Sequence, residues 1–295
     1  MPKIQEQDVM LVSAFTTGDG AGGNPAGVVL DADHLSEGAR QAIAAATGLS
    51  ETAFVSRSTM ASIELDFFTP RRRIAHCGHA TIATFGLLGA TGRLASGSHS
   101  KETIDGLRAV EVSGSYASME QRPPAFRTID QTATLTALGL DPSDVDTQFS
   151  PEIVDTGNGF VLVGVTSPDV LEALAPNMEA LETLSEAEDL VGAYVFTTQT
   201  GDPDVAATTR MFAPRYGISE ESATGMAAGP LAGLLHRRHA AGAQMTIEQG
   251  RFMRAPSRSL LYAEVKGEGA AMASLAVGGY ARTSRTLRIA YLDPG

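Results

Sequence analysis

Glu51 lies in the run Leu49-Ser50-Glu51-Thr52-Ala53-Phe54-Val55, whose composition reads as a strand. Period-two alternation places its carboxylate on the face of Ala53 and Val55. A carboxyl group on an apolar face has its ionised form penalised, which raises its pKa toward the range useful for proton transfer. The same pattern also suits a glutamate salt-bridged at a strand start. Cys77-Gly78-His79-Ala80 opens an apolar helical run that reaches about Gly89. A helix start leaves backbone N–H groups without intrahelical partners and carries about half a positive charge. Gly78 would let a ligand approach that backbone, so an anionic carboxylate could bind there; close helix–strand packing explains the same glycine. In the first turn His79 would stay neutral and serve as a hydrogen-bonding group, or else cap the helix. Cys77 at the same opening would have a lowered thiol pKa if exposed, or be an inert core residue. A second opening, Ala223-Thr224-Gly225-Met226, follows Glu221, which is placed either to cap the helix or to move a proton. Arg71-Arg72-Arg73 is the strongest basic run and reads as an anion attractor or a solvated turn.

Other chemistries find little support. There is no Gly-x-x-x-x-Gly-Lys-Ser/Thr loop and no His-Glu-x-x-His pair, and Gly18–Gly23 makes no dinucleotide fingerprint with a following helix. His76 and His79 have no acidic residue close by in sequence to complete a ligand set, so no metal is expected. His236 and His239 flank Arg237 and Arg238 at a helix end, where cationic groups suit the dipole. With 22 Lys plus Arg against 34 Asp plus Glu, the net charge of -12 disfavours nucleic acid and anionic membrane surfaces as partners. A single cysteine rules out an internal disulfide framework and any zinc site built from several thiolates. No run approaches the ~18 apolar residues of a spanning helix. The opening Met1–Asp8 lacks the basic-then-apolar layout of a secretory leader, so a cytoplasmic protein is expected.

The elements that would position these groups alternate along the 295 residues. Val9–Phe15 and Ala26–Leu30 read as strands around a Gly-rich turn, and Ser36 as the N-cap of a helix running to about Thr47, with Gly48 as its stop. Ser50–Val55 and Ser62–Phe68 are further strands. Arg122-Pro123-Pro124-Ala125 is the expected linker, because two prolines enforce extended backbone. The order then returns: strand Phe160–Val165, a helical region from Pro168 to Leu190 broken at Pro176, strands Ala193–Thr198 and Ala206–Phe212, and a helix from about Ala223 to His239. Gly23-Asn24 pairs with Gly157-Asn158, Phe68-Thr69-Pro70 with Phe212-Ala213-Pro214, and Cys77-Gly78-His79-Ala80 with Thr224-Gly225-Met226-Ala227, at offsets of 134, 144 and 147 residues. Three landmarks in order imply two similar α/β halves. We take them as residues 1–121, completed by 281–295, and residues 122–280. If the halves face each other, the openings at Gly78 and Gly225 converge.

Gly23-Asn24-Pro25-Ala26-Gly27-Val28-Val29-Leu30, the Ser50–Val55 run, Phe68-Thr69-Pro70, Cys77-Gly78-His79-Ala80-Thr81, Phe212-Ala213-Pro214, Ala223-Thr224-Gly225 and Gln249-Gly250 together resemble the phenazine-biosynthesis PhzF-like isomerase family, from about residue 8 to 290. The resemblance implies the diaminopimelate-epimerase-like α/β (α+β) fold, with two pseudo-symmetric halves, each a sheet wrapped around a central helix. It further implies a cofactor-free enzyme, commonly a homodimer, that moves a proton on a small anionic substrate. On the family motif Glu51 is the acid–base residue, and Ser50, Gly78, His79 and Gly225 contact substrate, with Cys77, Thr224 and Met226 beside them. Glu221 stands where the family usually has Asp, Met226 where it has Ser, and Arg73 where Glu is common. Glu221 is therefore the candidate second catalytic carboxylate, displaced by one methylene. Two other readings share the scaffold: a racemase or epimerase using Cys77, with Glu221 near the place of a second thiol, and a non-catalytic interaction protein.

Overall fold

A computed structural model describes residues 4–267 and 272–293; Met1–Lys3 of the opening segment and residues 294–295 of the expected first half lie outside the described residues. The chain divides into two compact units, residues 1–119 with 278–295, and residues 120–277. The chain crosses between them at Met119/Glu120, ahead of Pro123 and Pro124, and returns at Val277/Gly278. No helix among the described residues is long and apolar enough to cross a membrane.

The first unit runs β1 (Ile4–Thr16), β2 (Asn24–Val29), α1 (Glu37–Thr47), β3 (Thr52–Ser56), β4 (Ile63–Phe68), β5 (Arg73–Ile74), α2 (Gly78–Ala90), β6 (Gly97–Thr103), β7 (Gly106–Ser113) and β8 (Tyr116–Gln121). Ladders alternate in sense: β1–β2 antiparallel, β2–β3 parallel, β3–β4 antiparallel, β4–β6 parallel, then β6–β7 and β7–β8 antiparallel. The 13-residue α2 is apolar on every side, so it can be stable only when enclosed. Every residue from Gly78 to Leu88 is buried, against β1, β2, β3 and β7. Ser36 caps α1 by accepting the Ala39 amide, and Gly48 ends it in the left-handed region at φ 68. The apolar stripe of α1, with Ile43 at its centre, packs on Val9, Val29, Phe54 and Phe68 on the other side of the sheet.

The second unit contains β9 (Ala125–Thr128), α3 (Gln131–Leu138), β10 (Glu152–Asp155), β11 (Gly159–Gly164), α4 (Pro168–Ala173), α5 (Met178–Ala187), β12 (Leu190–Thr197), β13 (Ala207–Ala213), β14 (Ile218–Glu221), α6 (Gly225–Arg237), β15 (Gln244–Gln249) and β16 (Ser259–Lys266), while β17 (Ser274–Leu292) re-enters the first unit and pairs antiparallel with β1. The ladders β10–β11, β11–β12, β12–β13, β13–β15 and β15–β16 run antiparallel, parallel, antiparallel, parallel, antiparallel, the same sequence as β1–β2 through β6–β7. Here too a 13-residue helix, α6, lies almost wholly buried behind the short strand β14, as α2 does behind β5. The repeat read from three short landmarks is thus a repeat of topology.

One local expectation is corrected. Glu51 lies one residue before β3, and both faces of β3 are buried, so alternation does not assign Glu51 to an apolar face. Its backbone carbonyl instead accepts the Gly27 amide at 3.0 Å, extending the β2–β3 pairing into the approach to the strand.

Candidate active site

Glu51, Cys77 and His79 come together in the first unit. The β2–β3 pairing fixes the backbone of Glu51, and the start of α2 fixes that of Cys77 and His79. Glu51 Oε2 lies 3.3 Å from His79 Nε2, with the two side chains 14% and 6% exposed. On the other edge of the ring, Cys77 Sγ lies 3.6 Å from His79 Nδ1, and the thiol is buried. A neutral imidazole with its proton on Nε2 turns that N–H toward the carboxylate at ion-pair distance, without a formed hydrogen bond, and offers Nδ1 to the thiol. His79 is therefore neither an exposed nor a merely capping histidine. It sets its ring against Glu51.

These three side chains hold an oxygen, a sulfur and a nitrogen within 4.8 Å of one another. That is the separation of metal ligands, but the ring uses a different nitrogen toward each neighbour, and one ion bound to one nitrogen would break the line. The two ring nitrogens thus face different neighbours rather than one shared point. Cys77 is the N-cap residue of α2, and its own side chain makes no cap hydrogen bond there. Ser50, next to Glu51, is exposed.

Below this turn lies a group that motif reading passed over. Lys101 on β6 is fully buried, and its ammonium donates to Thr81 Oγ1 at 2.6 Å and approaches His76 Nδ1 at 3.4 Å. Burial first, then the charge of Arg108, pulls its pKa down to about 7, while the Cys77 and Asp105 charges act in the opposite direction. Burial, with Lys101 and Arg108 adding to it, pulls His76 down to about 3. Arg73 binds Asp66 and lies 3.5 Å from Glu37, which commits it to holding α1 and β4, while Arg71 and Arg72 are exposed.

The remaining candidates gather in the second unit. Thr224 is the N-cap residue of α6, but its hydroxyl donates to Glu221 Oε2 rather than capping the helix. Gln249, fully buried at the end of β15, locks this turn: its amide nitrogen donates to the Glu221 carbonyl at 2.7 Å and its oxygen accepts the Thr224 amide at 3.0 Å. Tyr194 donates to the same oxygen at 2.9 Å and Thr209 donates to Tyr194. The Gln249-Gly250 pair hinted at this lock, whereas nothing in the spacing of Tyr194 and Thr209 announces it. The Gly225 carbonyl accepts Gln121 Nε2 at 2.8 Å, and Met226 Sδ lies 3.6 Å from Asn158 Nδ2. The cap residue equivalent to Cys77 in the topological repeat is Thr224, with Glu221 on the preceding strand β14.

A family model described as phenazine biosynthesis-like protein matches residues 12–286. An uncharacterised isomerase of Clostridium acetobutylicum is 34% identical over 246 residues, covering 80% of this chain and 81% of its own. The trans-2,3-dihydro-3-hydroxyanthranilate isomerase of Pseudomonas fluorescens is 33% identical over 268 residues, covering 87% and 90%. A crystal structure of a PhzF-family phenazine biosynthesis protein from Bacillus anthracis superposes with a TM-score of 0.84 at 28% identity, over 97% of this chain and 99% of that one. The topology of each unit is that of the diaminopimelate-epimerase-like fold. With the partly buried Glu51 set against the first-turn histidine of an enclosed helix, the matching family model and these relatives place the chain in the phenazine-biosynthesis-like PhzF family of isomerases.

Proposed function

We propose that this isomerase relocates a proton on a small carboxylate-bearing metabolite without a cofactor. The observation that carries the reading is the buried contact of Glu51 Oε2 with His79 Nε2 at the start of α2. The substrate carboxylate is held by the positive end of α2, where Gly78 gives access to backbone. Glu51 takes a proton from a carbon activated by a neighbouring double bond, and the electron pair left behind shifts along the conjugated system. The protonated Glu51, its carboxyl proton exchanging with solvent in the interval, then delivers a proton to a second carbon, so atoms balance and the double bond has moved. His79 closes its N–H on Glu51 when substrate binds and keeps one carboxylate oxygen aimed while the other works.

The Pseudomonas relative makes trans-2,3-dihydro-3-hydroxyanthranilate the first compound to try, with Glu221 and Met226 as the departures from the family pattern that bear on substrate choice. Turnover in deuterium oxide with mass-spectrometric detection is the test, with a panel of small unsaturated carboxylic acids run alongside. The expected result is deuterium in the isomerised product with the native enzyme and none with Glu51→Gln. Full turnover by Glu51→Gln would overturn the assignment. A racemase working through two opposed thiols is not favoured, since the chain has one cysteine and Thr224 stands at the equivalent cap. The homodimer and cytoplasmic location common to such enzymes are part of the same proposal, the first measurable by sedimentation.

A further inference from the structure

Three lysines occur among the 22 basic residues, and Lys101 is enclosed in the first unit. Its contacts form a line to the active turn. Lys101 Nζ donates to Thr81 Oγ1 at 2.6 Å, and Thr81 Oγ1 donates to the Cys77 carbonyl at 2.7 Å, one residue before Gly78. The Phe67 ring from β4 lies 5.0 Å away, and β4 turns Glu64 and Asp66 to its opposite face. The other charged or titratable groups around the amine are His76 ahead of α2, Cys77 at the cap, Arg108 opposite on β7 and Asp105 in the β6–β7 turn. Glu51 and His79 stand further along the α2 opening. Among the described residues no carboxylate lies within ion-pair distance of the ammonium.

A buried amine without a paired carboxylate, set behind the positive end of a helix, is short of negative charge. An anion arriving at that helix end supplies it. We infer that Lys101 is a positioning residue for the isomerase centre: it pins the first turn of α2 through Thr81, and its protonation is coupled to the binding of a carboxylate at Gly78–His79. The inference rests on the proposed function for the place where the carboxylate binds. By linkage, carboxylate binding and Lys101 protonation strengthen each other equally. Since the free amine titrates near 7, the complex takes up a proton when it forms above that pH.

The probe is anthranilate, a carboxylate that cannot be turned over by this proton shift. Calorimetry in buffers of different ionisation enthalpy counts protons taken up, and NMR of lysine Cε resolves Lys101 among three lysines. At about pH 8 the native protein is expected to take up roughly 0.4 of a proton with anthranilate and to show the Lys101 midpoint moving up by about one pH unit, while affinity falls roughly tenfold toward about pH 9. Lys101→Met should bind anthranilate with no proton uptake and no such pH dependence, and Lys101→Arg should restore affinity that is flat with pH. If the first variant does not fold, the NMR titration of the native protein decides alone. A free midpoint near the ordinary lysine value overturns the inference, and so does anthranilate binding without proton uptake. Absence of anthranilate binding at millimolar concentration overturns it as well, yet leaves the deuterium test of the isomerase reading intact.

Discussion

Glu51 and His79 meet at 3.3 Å from the two ends of an excursion through β3, β4 and β5, so that the carboxylate proposed for acid–base work and the imidazole against it belong to one unit and come together as that unit folds. Replacing Glu51 by Gln keeps the shape and the ability to accept from His79, but removes the basic oxygen. Turnover of an identified substrate should fall by ~10²–10⁴-fold, the usual worth of a positioned general base, with the unfolding midpoint nearly unchanged. Deuterium incorporation read beside a urea melt separates the two effects.

His79→Ala removes the imidazole N–H that would close on Glu51 when substrate binds, together with the nitrogen that faces Cys77. A hydrogen bond to a charged group is worth about 1.5–3 kcal/mol, so kcat should fall roughly 10- to 100-fold, less than for Glu51→Gln. If His79 merely filled space, His79→Gln would restore full activity; steady-state rates for the pair decide.

Much of this centre could be read from residue order. Ser36 and Gly48 bracket α1 as their capping chemistry requires, and Cys77-Gly78-His79 marks the true start of α2. The three paired landmarks fall at matching points of the two ladder series, because each marks a turn the topology needs. The face of Glu51 was not legible. Alternation is informative only where one face is wet, and β3 is dry on both. Lys101 was hidden because β6 is built wholly of polar residues and glycine, Gly97-Ser98-His99-Ser100-Lys101-Glu102-Thr103, and nothing along the strand says that this lysine turns inward beneath a helix. Gln249, Tyr194 and Thr209 come from three strands, and only the fold brings their hydrogen bonds to Thr224.

Gly89 shows how tightly α2 is enclosed. A β-carbon there would meet the Gly114 carbonyl oxygen and lie 2.6 Å from Val112 Cγ1. Ala is the better helix former, yet Gly89→Ala should destabilise the protein by about 1–3 kcal/mol, because overpacking outweighs propensity. A urea titration monitoring helicity measures it, and a gain in stability would contradict the close packing.

Arg210 is buried on β13, with Nε and Nη2 bound to Glu220 at 2.8 and 3.0 Å and Nη1 bound to the Leu171, Glu172 and Leu174 carbonyls. It therefore closes the C-terminal end of α4 and holds β14, the strand that carries Glu221. Lysine cannot reproduce the planar fork, so Arg210→Lys should cost about 3 kcal/mol by leaving a buried carboxylate and carbonyls short of donors. Glu220→Gln keeps most of the geometry and should cost less. Denaturant midpoints for the two rank them.

His76 sets the acid limit of the first unit. Burial and the cations Lys101 and Arg108 hold its folded pKa at about 3 against an ordinary value of 6.5. Between those two values the unfolded chain binds a proton that the folded chain refuses, so stability rises with pH across that window and is lost as pH falls through it. Below about 3 both states are protonated and the difference no longer grows. His76→Gln, which cannot take up the proton, should flatten the pH dependence of the urea midpoint between about 3 and 6.5 while leaving the midpoint at higher pH close to the native one. An unchanged acid slope in that variant would show that the buried carboxylates, and not this imidazole, govern acid unfolding.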